Sequence, residues 1–171
     1  MVEIARKANT SPATFYQYFK DVSEATLRLA EAAADEVPAL VSLIDGSWRG
    51  QKGIETARAI AAAFVDHWDA HRPVLLLRNL AAEEGDRRFQ KVRRRSIAPV
   101  IERLAARVRE SQQQGRIPPE IHPYAAAAAL ASMLERLAAY HREIETFDAT
   151  RADLVETCAR ILLQTVTGRS A

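Results

Sequence analysis

Thiol chemistry has almost nothing to work with in this sequence: its one cysteine, Cys158, excludes an internal disulfide and any site built from several thiolates. An excess of one charge is missing too. Lysine and arginine number 24 against 22 acids, a formal net charge of +2, so contact with nucleic acid must come from a local patch. No apolar run approaches the roughly 18 residues that suggest a membrane span, and no signal peptide is evident. A soluble cytoplasmic protein with no membrane partner is therefore expected. There is no Gly-rich phosphate loop, nucleophile elbow, HExxH pattern or spaced carboxylate pair in a glycine-marked turn. These absences point away from an enzyme and away from a bound cofactor. Strand-like alternation of useful length is also absent, which leaves helices.

What the 171 residues do contain is 48% apolar content, enough for one medium domain or a small head on a larger body. The apolar positions recur at about 100° per residue. Leu27, Ala30, Ala34, Val37, Val41 and Ile44 share one side of a long helix, and Ile54, Ala57, Ala61, Phe64 and Trp68 one side of the next. Between them stand turn signals such as Asp45-Gly46, His71-Arg72-Pro73, Glu84-Gly85-Asp86 and Gly115 to Pro119. The pattern predicts an all-α fold, with helices near 2–8, 12–18, 22–44, 54–70, 73–83, 87–114, 123–144 and 151–166. Pro38 and Pro99 fall inside this pattern, and each is expected to kink its helix by removing a donor and crowding the preceding turn.

Aromatics are few, yet four of them crowd into five positions of the stretch IARKANTSPATFYQYFKD, Ile4 to Asp21. A polar bend, Asn9-Thr10-Ser11, precedes them. Ser11 is a good N-cap and Pro12 suits the first helical position, where its missing N–H costs nothing. The pieces read as a helix-turn-helix. A second helix of this kind presents its first turn to base edges, here Pro12, Ala13 and Thr14, followed by Tyr16 and Gln17 on the exposed side. Tyr16, Tyr18 and Lys20 can reach flanking phosphates. Phe15 and Phe19, four apart, face inward; the competing reading makes the four aromatics a small core and nothing more.

This stretch, followed by a long amphipathic helix, resembles the second and third helices and the start of the fourth of the tetracycline-repressor (TetR) family of bacterial one-component regulators. The resemblance implies a partial helix-turn-helix over 1–22 and a helical ligand-binding and dimerisation domain over 23–171. Asn9 stands where that family usually carries glycine, a mild change because asparagine tolerates the left-handed conformation. A lysine usual near the start of the fourth helix is missing around Val22 and Ser23, so Lys20 is expected to supply that phosphate contact. The family's first helix would precede Met1. Without it, Ile4, Ala8, Phe15 and Phe19 are expected to be partly bare and the head to be the least stable region.

In the body, Ala127, Leu130 and Leu134, then Leu154, Cys158, Ile161 and Leu162, belong to apolar arcs wider than one core face requires. The resemblance implies a homodimer in which the last two helices meet their symmetry mates as a four-helix bundle. Close packing within one chain is the alternative. On 87–114, Phe89, Val92, Ser96, Ile97, Val100 and Leu104 share a side, and Arg93 falls in its middle, whereas Arg87, Arg88, Lys91, Arg94 and Arg95 form a solvated face. Arg93 needs either an acid such as Glu83 or Glu135, or an acidic ligand in a pocket lined by Phe64, Trp68, Phe89, Met133 and Tyr140. His67 and His71 are four apart and able to share a metal, but no third ligand is evident, so no metal site is expected. His141 reads as a core or interface histidine. The expected function is a ligand-responsive regulator, a repressor that leaves double-stranded operator DNA when a small, largely apolar effector shifts helix 22–44. The rival is an all-helical small-molecule-binding or cofactor protein with no DNA-binding role.

Overall fold

The computed structural model describes Arg6, Asn9 and residues 11–169. Of the helix predicted near 2–8 only Arg6 is described, and it is helical; Ile4 and Ala8, and Thr10 of the bend, lie outside the described residues. Asn9 has φ +52°, the left-handed conformation expected of it, and its N–H reaches the Arg6 carbonyl at 3.1 Å. Helix α1 (Pro12–Tyr18) then starts abruptly: the Ser11 hydroxyl accepts from the Thr14 N–H at 3.0 Å, and Pro12 opens the first turn.

Asp21 caps α2 (Val22–Asp35) by accepting from the Glu24 N–H at 2.8 Å. The expected single helix 22–44 is divided at Glu36, and α3 (Val37–Leu43) follows. The cause is Pro38, which has no N–H to give the Ala34 carbonyl and whose ring crowds it, so the chain resets two residues earlier. Pro73 behaves differently. Instead of separating two helices it lies inside α4 (Gly50–Glu83), which runs unbroken through it. The lost donor in a helix interior costs about 3 kcal/mol, a penalty offset by Trp68 and Leu75, which flank the proline and are 3% and 1% exposed. Pro99 is likewise internal to α5 (Arg87–Gln113), capped by Asp86.

Helix α6 (Pro123–Ile144) contains one non-helical residue, Tyr140 (φ −123°, ψ 17°). A capping box of Thr150 and Asp153 starts α7 (Arg151–Thr167), and Gly168 ends it at φ +67°. Helices α4 to α7 pack against one another around a core that includes Ile60, Leu75, Val100, Leu104, Leu134 and Leu162. Helix α2 lies on α4 and α5, where Ala30 and Ala34 meet Val92. Among the described residues, α1 contributes no side chain to either cluster. Its own apolar contact is Phe15 against Phe19, ring centroids 5.2 Å apart, with Phe15 buried and Phe19 half-buried.

Candidate functional site

At the N-terminal end, α1 carries six of the predicted DNA-reading residues, with Ser11 as its N-cap and Lys20 in the turn that follows. Ser11, Pro12, Ala13, Tyr16, Gln17, Tyr18 and Lys20 are exposed and Thr14 is half-buried, its hydroxyl 2.9 Å from that of Ser11. Tyr16 and Tyr18 are 56% and 74% exposed, unusual for side chains with this much apolar surface unless something covers them. The Lys20 backbone N–H donates to the Glu24 carboxylate at 2.8 Å, and the residue is exposed.

A groove of about 510 Å³ opens between α4, α5 and α6. Of the six residues predicted to line a pocket, Trp68, Arg93 and Tyr140 border it. Phe64 lies deeper, beside a void of about 20 Å³ next to Trp68. Phe89 is fully buried on α5, and Met133 is packed partly buried against the core. The remaining lining is more polar than an apolar effector requires: Asn79, Glu83, Ser132, Glu135 and Arg136 stand alongside Leu76 and Leu80.

Charge placement explains much of this groove. Arg78 is a fully buried cation, 2% exposed, which the sequence pattern did not single out although it lies between Leu75 and Ala82 on α4. Its guanidinium faces Glu135 at 3.5 Å and donates to the Asn79 side chain at 3.1 Å. Burial pulls the Arg78 guanidinium below its usual value; Glu135 opposes that shift, and the Arg93 charge adds to it. Glu135 is thereby committed to Arg78. Arg93, half-buried, has no ion pair or side-chain hydrogen bond among the described residues and presents its charge to the groove. Arg136 stacks over the Tyr140 ring at 3.9 Å.

The Tyr140 irregularity is held from α4. Beside it Arg72 donates to the Ala139 carbonyl, while Asp69 accepts from Arg142 at 3.1 Å and bonds the His141 Nε2 at 3.0 Å. His141 and Arg142 hold the Asp69 carboxyl below its ordinary value, His141 foremost. Among the described residues the buried His141 Nδ1 has no hydrogen-bond partner; Glu145 is 3.9 Å away. At the opposite face of α4, Glu36 reaches His71, with Oε2 and Nε2 2.8 Å apart, and the same oxygen lies 3.9 Å from His67 Nδ1.

Six of the seven predicted interface residues, Ala127, Leu130, Leu134, Leu154, Cys158 and Leu162, are buried within the single chain; Ile161 is 40% exposed. The arcs are wide because α6 and α7 each pack on α4, on α5 and on one another. The outward strip of α6 carries Ala125, Ala129 and Ser132, and that of α7 carries Thr157 and Ile161. The arginine run on α5 is exposed, and two of its members tie to α2: Arg88 donates to Ser23 at 3.1 Å, and Arg95 pairs with Asp35 at 2.9 Å.

An all-helical body with a polar groove among its longest helices, entered by a linking helix from a small N-terminal head, has the layout of a one-component regulator. Residues 40–171 match the tetracyclin repressor-like, C-terminal domain, and the chain belongs to the TetR family. No curated protein matches it.

Proposed function

We propose that this TetR-family regulator is a ligand-responsive repressor that binds double-stranded operator DNA as a homodimer through α1 and releases it when an effector enters the groove. Support comes chiefly from Arg93: a half-buried cation without a partner among the described residues, facing a cavity walled by Trp68 and Tyr140, suits an organic anion with an apolar body. The effector is thus amphipathic, its acid group on Arg93 and its apolar part against Leu76, Leu80 and the two rings. Arg136, stacked on Tyr140, can turn toward the same acid group.

The response is geometric. Helix α2 carries the head and ends at Glu36, close to where α3 and α4 meet, so a ligand that displaces α4 changes the angle at which α2 leaves the body. In a two-fold dimer that alters the spacing of the two α1 helices against successive major grooves. The outward strips of α6 and α7 would form the subunit contact.

Native mass spectrometry of the full chain, with small molecules that co-purify, identifies the effector, and a DNA mobility shift on a sequence selected from random duplexes tests the head. The expected result is an organic acid whose addition weakens the DNA complex and whose binding drops at least tenfold in Arg93→Gln, a charge-assisted pair being worth about 1.5–3 kcal/mol. Effector binding without any selectable duplex would overturn the DNA-binding reading and leave an all-helical ligand-binding protein.

A further inference from the structure

The sequence puts His67 and His71 one helical turn apart on α4, a spacing that aims two imidazoles at one point, but supplies no neighbouring third ligand. The fold supplies it from 31 residues upstream of His67. Glu36 sits in the break between α2 and α3, where it is the last cap of one helix and the first of the next without giving its side chain to either. Its carboxylate is free to turn to α4. One ligand atom from each of the three residues lies within 4.8 Å of the others.

Two donors about 2.1 Å from a tetrahedral ion are about 3.4 Å apart. The observed separations, 2.8 Å from Glu36 Oε2 to His71 Nε2 and 3.9 Å to His67 Nδ1, fall on either side of that value, so small side-chain rotations suffice. The site is graded from dry to wet: the His67 side chain is 15% exposed, that of His71 24% and that of Glu36 60%. An ion can therefore enter from the Glu36 side and keep water on its open positions.

We propose that Glu36, His67 and His71 bind one divalent first-row transition metal ion, with water completing the shell, and that the ion pins the α2–α3 break to α4. Two imidazoles and one carboxylate favour Zn²⁺, Co²⁺ or Ni²⁺ over Mg²⁺ or Ca²⁺, which prefer all-oxygen shells. The proposal does not rest on the effector or on DNA binding.

The test uses the full, tag-free chain stripped with a chelator and titrated calorimetrically with Zn²⁺, with Co²⁺ visible absorption as a second readout. One ion per chain is expected, together with slower amide exchange around Glu36. His67→Gln, His71→Gln and Glu36→Gln should each weaken Zn²⁺ binding roughly 100-fold or more, since losing even an outer-shell partner costs 10–100-fold. His141→Gln, which alters the other histidine–acid cluster, should leave affinity unchanged. Circular dichroism of each variant checks that it remains folded. Absence of saturable binding, binding that survives the His67→Gln/His71→Gln double variant, or binding that depends on His141 would each overturn the proposal.

Discussion

Glu135→Gln keeps the size of the side chain and removes the charge that faces Arg78 across 3.5 Å. The Arg78 side chain is 3% exposed and that of Glu135 18%. With glutamine in place, the guanidinium retains the Asn79 oxygen at 3.1 Å but no counter-charge, while Arg93 still repels it. An uncompensated buried charge of this kind costs about 3–5 kcal/mol. The long separation and the residual exposure of Glu135 place the expected loss at the lower end of that range. A control separates burial from distance: Arg95 and Asp35 are closer, at 2.9 Å, but 52% and 72% exposed, so Asp35→Asn should cost about 0–1 kcal/mol. The shorter pair should therefore be worth less. Urea unfolding followed by circular dichroism, at one protein concentration so that self-association does not move the midpoint, reads both. Replacing both partners, Arg78→Met with Glu135→Leu, should come close to neutral because neither charge then has to be desolvated. If Glu135→Gln costs no more than the exposed control, Arg78 is not a buried charge that depends on Glu135.

Tyr16→Ala should weaken binding to a selected duplex with little change in melting temperature, because the side chain is 56% exposed, whereas Phe15→Ala should unfold the head; equal duplex affinity for wild type and Tyr16→Ala would remove α1 from the interface. Gly168→Ala should destabilise the fold by about 1–2 kcal/mol or more, since φ is +67° and an added Cβ would run into the Arg116 carbonyl; an unchanged urea midpoint would contradict that geometry. Glu156 joins α7 to α4 through Arg58, whose Nη2 donates to it at 3.0 Å, and Arg58 and Arg160 hold its carboxyl down at about 2. Because the folded value lies below the ordinary 4.5, the stability from this group is fully present above that pH and is lost as pH falls toward 2; an NMR titration of the Glu156 carboxyl should show it, and Arg58→Ala should move the midpoint up.

Faces of helices were legible in the sequence because burial repeats with the helical period and needs no knowledge of what lies opposite. Phe89, Val92, Ser96, Val100 and Leu104 are all buried on α5, as are Ile54, Ala57, Ala61, Phe64 and Trp68 on α4. Local capping was legible for the same reason: Ser11 and Pro12 act within one turn of α1, and Asn9 takes the left-handed conformation its bend demands. Pro73 was misleading because its local cost was visible, whereas the tertiary burial of Trp68 and Leu75 that offsets it was not.

Charge pairing was the least legible feature, since it is set by neighbours far away in sequence. Arg93 stood out because it interrupts an apolar face, and Glu135 was one of its candidate partners. The fold instead gives Glu135 to Arg78, 57 residues earlier, because Arg78 is the more deeply buried cation and has the larger desolvation penalty to offset. Arg93 is left facing the groove as a consequence of that pairing, and it is this remainder on which the proposed anion site rests. The same logic governs Glu36. A glutamate ahead of a proline reads as an ordinary polar residue near a kink. Only once Pro38 forces the reset at Glu36 does its carboxylate come 2.8 Å from His71, 35 residues later, and turn a pair of histidines into a set of three ligands. Both candidate sites thus depend on charges assigned by tertiary packing, which is why neither is a motif in the linear chain.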